Sequence, residues 1–337
     1  MIKNIQALRF LAAMAVVIFH ASLFYRAYEG TTLKPFIDIM TPWGKLGVDL
    51  FFVISGFVIW ASTEARHNSK DVAPFMFRRL ARVYTSYWPA LIIAAMIGWS
   101  KFVDISLSGS LSAITLAPSE MVPSGEVILP VRWTLTYEVI FYFTFALCMI
   151  LPRIWQLTVI ISWGIFSIVL NSTATFLSPF IAEFSMGCWL AYLASRFDLS
   201  RAPLLPVVLI SILLFAGGVP HLEDPVWRVA WFGSWAAFVV VFAISAEKKG
   251  LIASKFFTEM GSASYALYLL HFPILQLFAK FWPTMKAHPD TMIASAIVVS
   301  LLASWLWWRY FEKPMIKRIS NFSKLKLQRN IPVSDAG

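Results

Sequence analysis

Arg9 and His20 stand inside the first apolar run of the chain, Arg9-Phe10-Leu11-Ala12-Ala13-Met14-Ala15-Val16-Val17-Ile18-Phe19-His20. An uncompensated charge in a hydrocarbon core costs about 2.5 kcal/mol or more, so a guanidinium there has a partner, a wet cavity or a chemical task. Eleven residues at about 100° each return to within about 20° of the starting direction. Both side chains therefore share one helix face, about 16 Å apart along the axis. That face carries a fixed cation and an imidazole able to take up a proton, and two further apolar runs contribute carboxylates, Asp49 and Glu138. A carboxylate beside an imidazole raises its basicity and fixes its tautomer, which is the requirement of a general base.

The elements that must position these groups are membrane spans. Hydrophobic residues make up 59% of the 337 and charged residues 14%, against about 25% charged in a soluble domain; the mean hydropathy is +0.71. Apolar stretches near 5–25, 45–62, 86–102, 133–151, 155–171, 174–194, 203–219, 226–245, 262–282 and 291–311 predict an all-α, polytopic transmembrane helical bundle of about ten spans. The net charge of +10 suggests nucleic acid only until it is sorted by loop. With the N-terminus inside, eighteen Lys and Arg fall on the cytoplasmic side and seven on the other, which predicts both termini in the cytoplasm. The basic excess is then a topology signal with attraction to anionic lipid as a by-product, and no nucleic-acid partner is inferred. The chain reads as one membrane domain, 1–315, followed by a basic cytoplasmic tail, 316–337. The first apolar run reads as a retained helix, because nine further spans follow it.

Topology converts position into depth. At about 1.5 Å per residue, His20 lies roughly 22 Å above the inner face, while Asp49 and Glu138 lie roughly 6 and 8 Å below the outer one. The three are expected to share an outer-leaflet layer. Such a layer serves a general-base site or a proton relay equally well, and an isolated intramembrane His or Asp also serves as a helix-pairing group. On the cytoplasmic side, Arg79 and Arg82 in Arg78-Arg79-Leu80-Ala81-Arg82 face the same way on a helix. They read either as a phosphate clamp or as a topology anchor at the headgroups.

Ser55-Gly56 is a small pair in mid-membrane that permits close approach of a helix or a thin ligand. In Ser264-Tyr265-Ala266-Leu267-Tyr268-Leu269-Leu270-His271-Phe272-Pro273, Tyr265 and Tyr268 share a face and Pro273 predicts a kink. Cys148 and Cys188 fall within spans and read as small apolar residues. No Gly-x-Gly-x-x-Gly, P-loop, Cys-x-x-Cys or His-Glu-x-x-His occurs, and no residue is assigned to a metal. His67, His221 and His288 read as solvated loop residues. The outer loops 103–132 and 218–225 contribute Asp104, Glu120, Glu126, His221, Glu223 and Asp224, which read either as a polar binding surface or as ordinary solvated loop residues.

Several motifs in order resemble the acyltransferase-3 family: the Arg-x10-His of Arg9 and His20, the Gly-Val-Asp-Leu-Phe-Phe-Val-Ile-Ser-Gly-Phe run of 47–57, the Arg-x-x-Arg of Arg79 and Arg82, Trp133-Thr134-Leu135-Thr136-Tyr137-Glu138, Ser264-Tyr265 through His271 and Pro273, and the closing Tyr310-Phe311-Glu312-Lys313-Pro314. One departure is Thr85, where the family pattern has Pro. The resemblance implies a multi-pass enzyme of the bacterial inner (plasma) membrane that moves an acyl group, often acetyl, from cytoplasmic acyl-CoA to a saccharide. Acetyl-CoA is thus the implied donor, a cell-surface or lipid-linked saccharide the acceptor, and polysaccharide-assembly proteins the implied partners.

The resemblance places Arg9, Arg79 and Arg82 on the acyl-CoA side, with Ser55 and Gly56 along the pantetheine route. It makes His20 the base, oriented by Glu138 or Asp49. Trp133, Tyr137, Tyr265, Tyr268 and His271 are the expected substrate-binding residues. About twenty residues follow Pro314, so direct transfer without a fused soluble domain is expected. The competing class is a proton-coupled transporter or flippase for a lipid-linked saccharide, in which the same His, Asp and Glu form a relay.

Overall fold

The computed structural model describes residues 2–25, 43–64, 68–98, 106–118, 120, 128–219, 222–281 and 289–319. His67, His221, His288, Asp104, Glu126 and the basic tail beyond 319 lie outside the described residues. Every regular element among the described residues is helical. They are α1 Lys3–Tyr25, α2 Leu46–Ser62, α3 Ser69–Ile97, α4 Leu107–Thr115, α5 Arg132–Cys148, α6 Arg153–Leu170, α7 Ile181–Arg196, α8 Leu204–Gly218, α9 Pro225–Lys248, α10 Lys255–Ser262, α11 Ser264–Phe281 and α12 Pro289–Trp307. The last continues through a π-helical turn, Trp308–Glu312.

Among the described residues each of the ten apolar stretches contains a helix. Five helices are long and apolar enough to cross a bilayer alone, and α10 with α11, bent by 68° at Ala263, forms a sixth. α2 and α8, at 17 and 15 residues, are shorter. The third predicted span began at 86; the helix instead begins at Ser69 and runs unbroken through Thr85 and Pro89. The absence of Pro at 85 leaves that backbone N–H able to continue the helix, so Arg79 and Arg82 ride on the same rod as the apolar residues that follow.

Local sequence explains several boundaries. Asp224 accepts hydrogen bonds from the backbone N–H groups of Val226 and Trp227, with Pro225 just inside the start of α9, a favoured opening for a helix. Ser106 caps α4 in the same way through the Gly109 N–H, and α4 ends at Leu116 in the left-handed conformation. The carbonyls left over at that end accept from Tyr84, Tyr87, Trp88 and the buried Arg132. α4 is thereby fastened to α3 and α5.

The most intimate helix pair is α2 with α7. A Cβ on Gly56 would strike the Phe184 carbonyl, and one on Gly187 would strike the Val53 carbonyl. The two backbones touch because neither residue has a side chain, and Cys188 donates to the Gly56 carbonyl at 3.3 Å. Phe52 and Phe141 stack on Phe184 at 4.6 and 4.7 Å, extending the contact into the aromatic centre of the core. Gly56→Ala is expected to cost about 1–3 kcal/mol by overpacking, read as a lower midpoint of thermal unfolding of the purified protein. The mid-membrane Ser-Gly pair therefore divides its labour: Gly56 serves helix contact, and Ser55 faces elsewhere.

Candidate active site

Ser55 lines a cleft between α1, α2, α3, α5 and α11 that is partly open to the surroundings. Three guanidinium groups reach it, Arg9 from α1 and Arg79 and Arg82 from α3. Arg79 Nη2 donates to Ser62 Oγ at 2.7 Å and its guanidinium sits 5.6 and 5.7 Å from the rings of Phe75 and Tyr142. Among the described residues none of the three arginines has a carboxylate within ion-pairing distance. Burying a cation without a paired anion costs several kcal/mol. A cleft built this way is suited to an anionic ligand, which supplies the missing partner.

Glu138 also lines this cleft, bonded to the Tyr142 hydroxyl one helical turn on. It lies in the electrostatic field of Arg9 and Arg79. The expectation that Glu138 shares a layer with His20 is thus corrected: it belongs to the arginine end.

Asp49 is corrected more sharply. Its carboxylate is fully buried and receives Arg228 Nε at 3.0 Å and Nη2 at 2.6 Å, a bidentate pair. Arg228 Nη2 also donates to the Lys45 carbonyl at 3.0 Å, and its plane lies over Phe180 at 5.1 Å. The pair ties the start of α2 to the start of α9, with the buried Glu183 of α7 in its field. Just outside, Lys45 Nζ meets Glu223 at 2.6 Å, and that bond holds the Glu223 carboxyl below the usual carboxylate range. Asp49 makes no contact with His20.

His20 instead meets another imidazole. Its Nδ1 lies 3.1 Å from the Val16 carbonyl oxygen and 3.1 Å from Nε2 of His271, whose Nδ1 lies 3.0 Å from the Leu267 carbonyl oxygen. Phe19 and Phe272 flank His20 edge-on at 5.1 and 5.4 Å. His271 is wholly buried, so the expectation that it contacts substrate is replaced by contact with His20. Neither imidazole lines the arginine cleft.

Tyr268 touches both regions. It lines the cleft, its ring centre is 6.0 Å from that of His271, and Phe51 packs against it at 5.9 Å. Its hydroxyl donates to the Val131 carbonyl at 3.1 Å and shares a 2.7 Å bond with the Thr134 hydroxyl. Tyr265 lines the cleft as well, its hydroxyl fixed on the Val83 carbonyl at 2.9 Å. Trp133 and Tyr137 pack among Phe52 and Phe180 and are not among the cleft residues. Gly56 is not among the cleft residues either.

Two participants escaped the sequence reading. Tyr142 lies four residues after Glu138, the helical spacing at which a phenol can bond a carboxylate. Glu312, in the closing Tyr-Phe-Glu-Lys-Pro run, sits in a π-helical turn with its Oε2 buried and unpartnered, in the field of Arg82 and Arg9. Its signal was a carboxylate just past the end of the final apolar stretch, between Arg309 and Lys313. π-Helical turns inside helices are frequent at functional sites, which is consistent with its position behind the arginines.

Comparison with known proteins fits this arrangement. The family model described as an acyltransferase domain matches residues 2–309. The exopolysaccharide production protein ExoZ of Rhizobium meliloti is 27% identical over 298 residues, covering 82% of this chain and 90% of that protein. The acyltransferase MdmB of Streptomyces mycarofaciens is 25% identical, covering 94% of this chain and 92% of its own. A protein of Komagataeibacter xylinus named as a membrane-bound transacylase, BcsY, is 27% identical, covering 89% of this chain and 80% of that protein. No solved structure matches. With its helical membrane architecture and a match across nearly its whole length, the chain belongs to the acyltransferase-3 family of membrane acyltransferases.

Proposed function

We propose that this protein transfers an acyl group, acetyl in the simplest case, from a cytoplasmic acyl-CoA to a hydroxyl of a cell-surface or lipid-linked saccharide at the bacterial inner membrane. The observation that carries the reading is the convergence of Arg9, Arg79 and Arg82, none of them ion-paired, in one cleft. Acyl-CoA brings phosphates to match those cations and a thin arm that suits the apolar side chains lining the same cleft beside Ser55 and Phe51. The relative ExoZ, named for exopolysaccharide production, supports a saccharide acceptor.

In this reading His20 is the general base. As the acceptor oxygen attacks the thioester carbon, His20 takes the hydroxyl proton; the carbon–sulfur bond then breaks and CoA leaves as a thiolate that is reprotonated to the thiol. Tyr268 must yield for the thioester to reach His20, since it separates the cleft from the imidazoles.

Two measurements test the proposal. Initial rates with acetyl-CoA in Arg79→Ala and Arg82→Ala should show the apparent KM raised about 10- to 100-fold, the equivalent of losing a charge-assisted hydrogen bond of about 1.5–3 kcal/mol. Acetyl-CoA should also protect the purified wild type against thermal unfolding. Absence of protection, together with loss of polymer export and unchanged acetylation in cells lacking the protein, would favour the transporter or flippase instead.

A further inference from the structure

The contacts of the two imidazoles determine which nitrogen of His20 is free to act. A carbonyl oxygen only accepts, so the Leu267 oxygen at 3.0 Å requires the proton of His271 to be on Nδ1. The Val16 oxygen at 3.1 Å likewise requires a proton on Nδ1 of His20. Between the rings, Nε2 of His271 therefore faces an N–H at 3.1 Å and presents its lone pair to it. One assignment satisfies all three contacts. His271 is neutral with its proton on Nδ1, and His20 shares its Nδ1–H between Val16 and His271. Nε2 of His20 is left with a lone pair and no partner among the described residues.

We propose that His271 is a positioning residue that fixes the tautomer of His20, so that Nε2 of His20 is the atom that accepts the proton from the attacking hydroxyl. The inference rests on the reading of His20 as the base. Here a neutral imidazole, fully buried and anchored on its own helix, takes the place that a carboxylate was expected to hold. As His20 becomes imidazolium, its Nδ1–H bond to His271 becomes charge-assisted and shortens. An imidazole nitrogen is a stronger acceptor than the Val16 carbonyl, so His271 stabilises the protonated base as well as aiming it. A carboxylate would do the same at the cost of a second buried charge, which the fully buried position of His271 disfavours.

The test uses the full-length chain with its five histidines labelled with nitrogen-15. Long-range proton–nitrogen spectra, assigned through His20→Ala and His271→Gln, should show the Nδ1–H form at both positions and a pyridine-type Nε2 at His20. His271→Gln, whose amide oxygen can accept the same bond, should keep kcat within about 10-fold of wild type. His271→Leu should lose about 100-fold in kcat with the apparent KM for acetyl-CoA unchanged, and its His20 should exchange between tautomers. An Nε2–H form at His20 in the wild type would overturn the proposal, as would a folded His271→Leu that turns over normally. Should His20→Ala stay active while the two tautomers are as stated, the pairing stands and the assignment of His20 as base fails.

Discussion

Replacing His20 by Ala lowers acyl transfer by about 10²- to 10⁴-fold, the contribution expected of a positioned general base. The stabilisation of the protein by acetyl-CoA should persist in that variant. The two readouts separate because His20 is not among the residues of the arginine cleft. In the proposed mechanism donor affinity rests on cations carried by α1 and α3, whereas proton removal rests on His20, beside His271. Folding should survive the change: His20 is half-buried, and its loss leaves His271 Nε2 as a neutral acceptor without a partner rather than an orphaned charge. The result is checked by initial rates at saturating acetyl-CoA and by thermal unfolding with and without donor. A variant that loses donor stabilisation along with turnover would place His20 in donor binding.

Asp49→Ala should be the most damaging single change to stability away from the helix contacts. It leaves Arg228, whose side chain is 11% exposed, without its bidentate partner. Breaking a buried pair by removing one member costs about 3–5 kcal/mol, because an uncompensated cation remains. Asp49→Leu combined with Arg228→Met removes both charges and should recover most of that loss. The measurement is the unfolding midpoint of the single and double variants, with kcat recorded on the folded fraction. Near-normal kcat in the double variant would establish that the pair holds α2 against α9; a stable double variant with no turnover would return Asp49 to the chemistry.

The contrast between Asp49 and the arginines shows which parts of the site are legible in sequence. Apolar length locates most of the helices, since it follows from local composition, but not the polar start of α3, which lies seventeen residues before the expected 86. Arg79 and Arg82 share a face by helical spacing alone, and the family motif joined them to Arg9 across seventy residues. What spacing cannot supply is a partner chosen in three dimensions. Arg228 is 179 positions from Asp49, and His271 is 251 positions from His20. Counting depth at 1.5 Å per residue treated every helix as straight and seated at a common surface, which put Glu138 beside the wrong group. Gly56 was ambiguous for another reason: a small residue permits a helix or a ligand to approach, and only the Phe184 backbone shows which one does.

The Tyr268 hydroxyl, held by Val131 and Thr134, also bears on the membrane as an insulator. An arginine cleft and a pair of imidazoles set in series form most of a wire for protons, and continuous water between them would short-circuit the gradient that the cell maintains. The phenol ring packs against Phe51, and its hydroxyl is already committed to the Val131 carbonyl and the Thr134 hydroxyl, so it is not free to relay a proton from one region to the other. Polar groups can thus stand deep inside the bilayer while the protein idles, on either side of a phenol whose proton is already engaged.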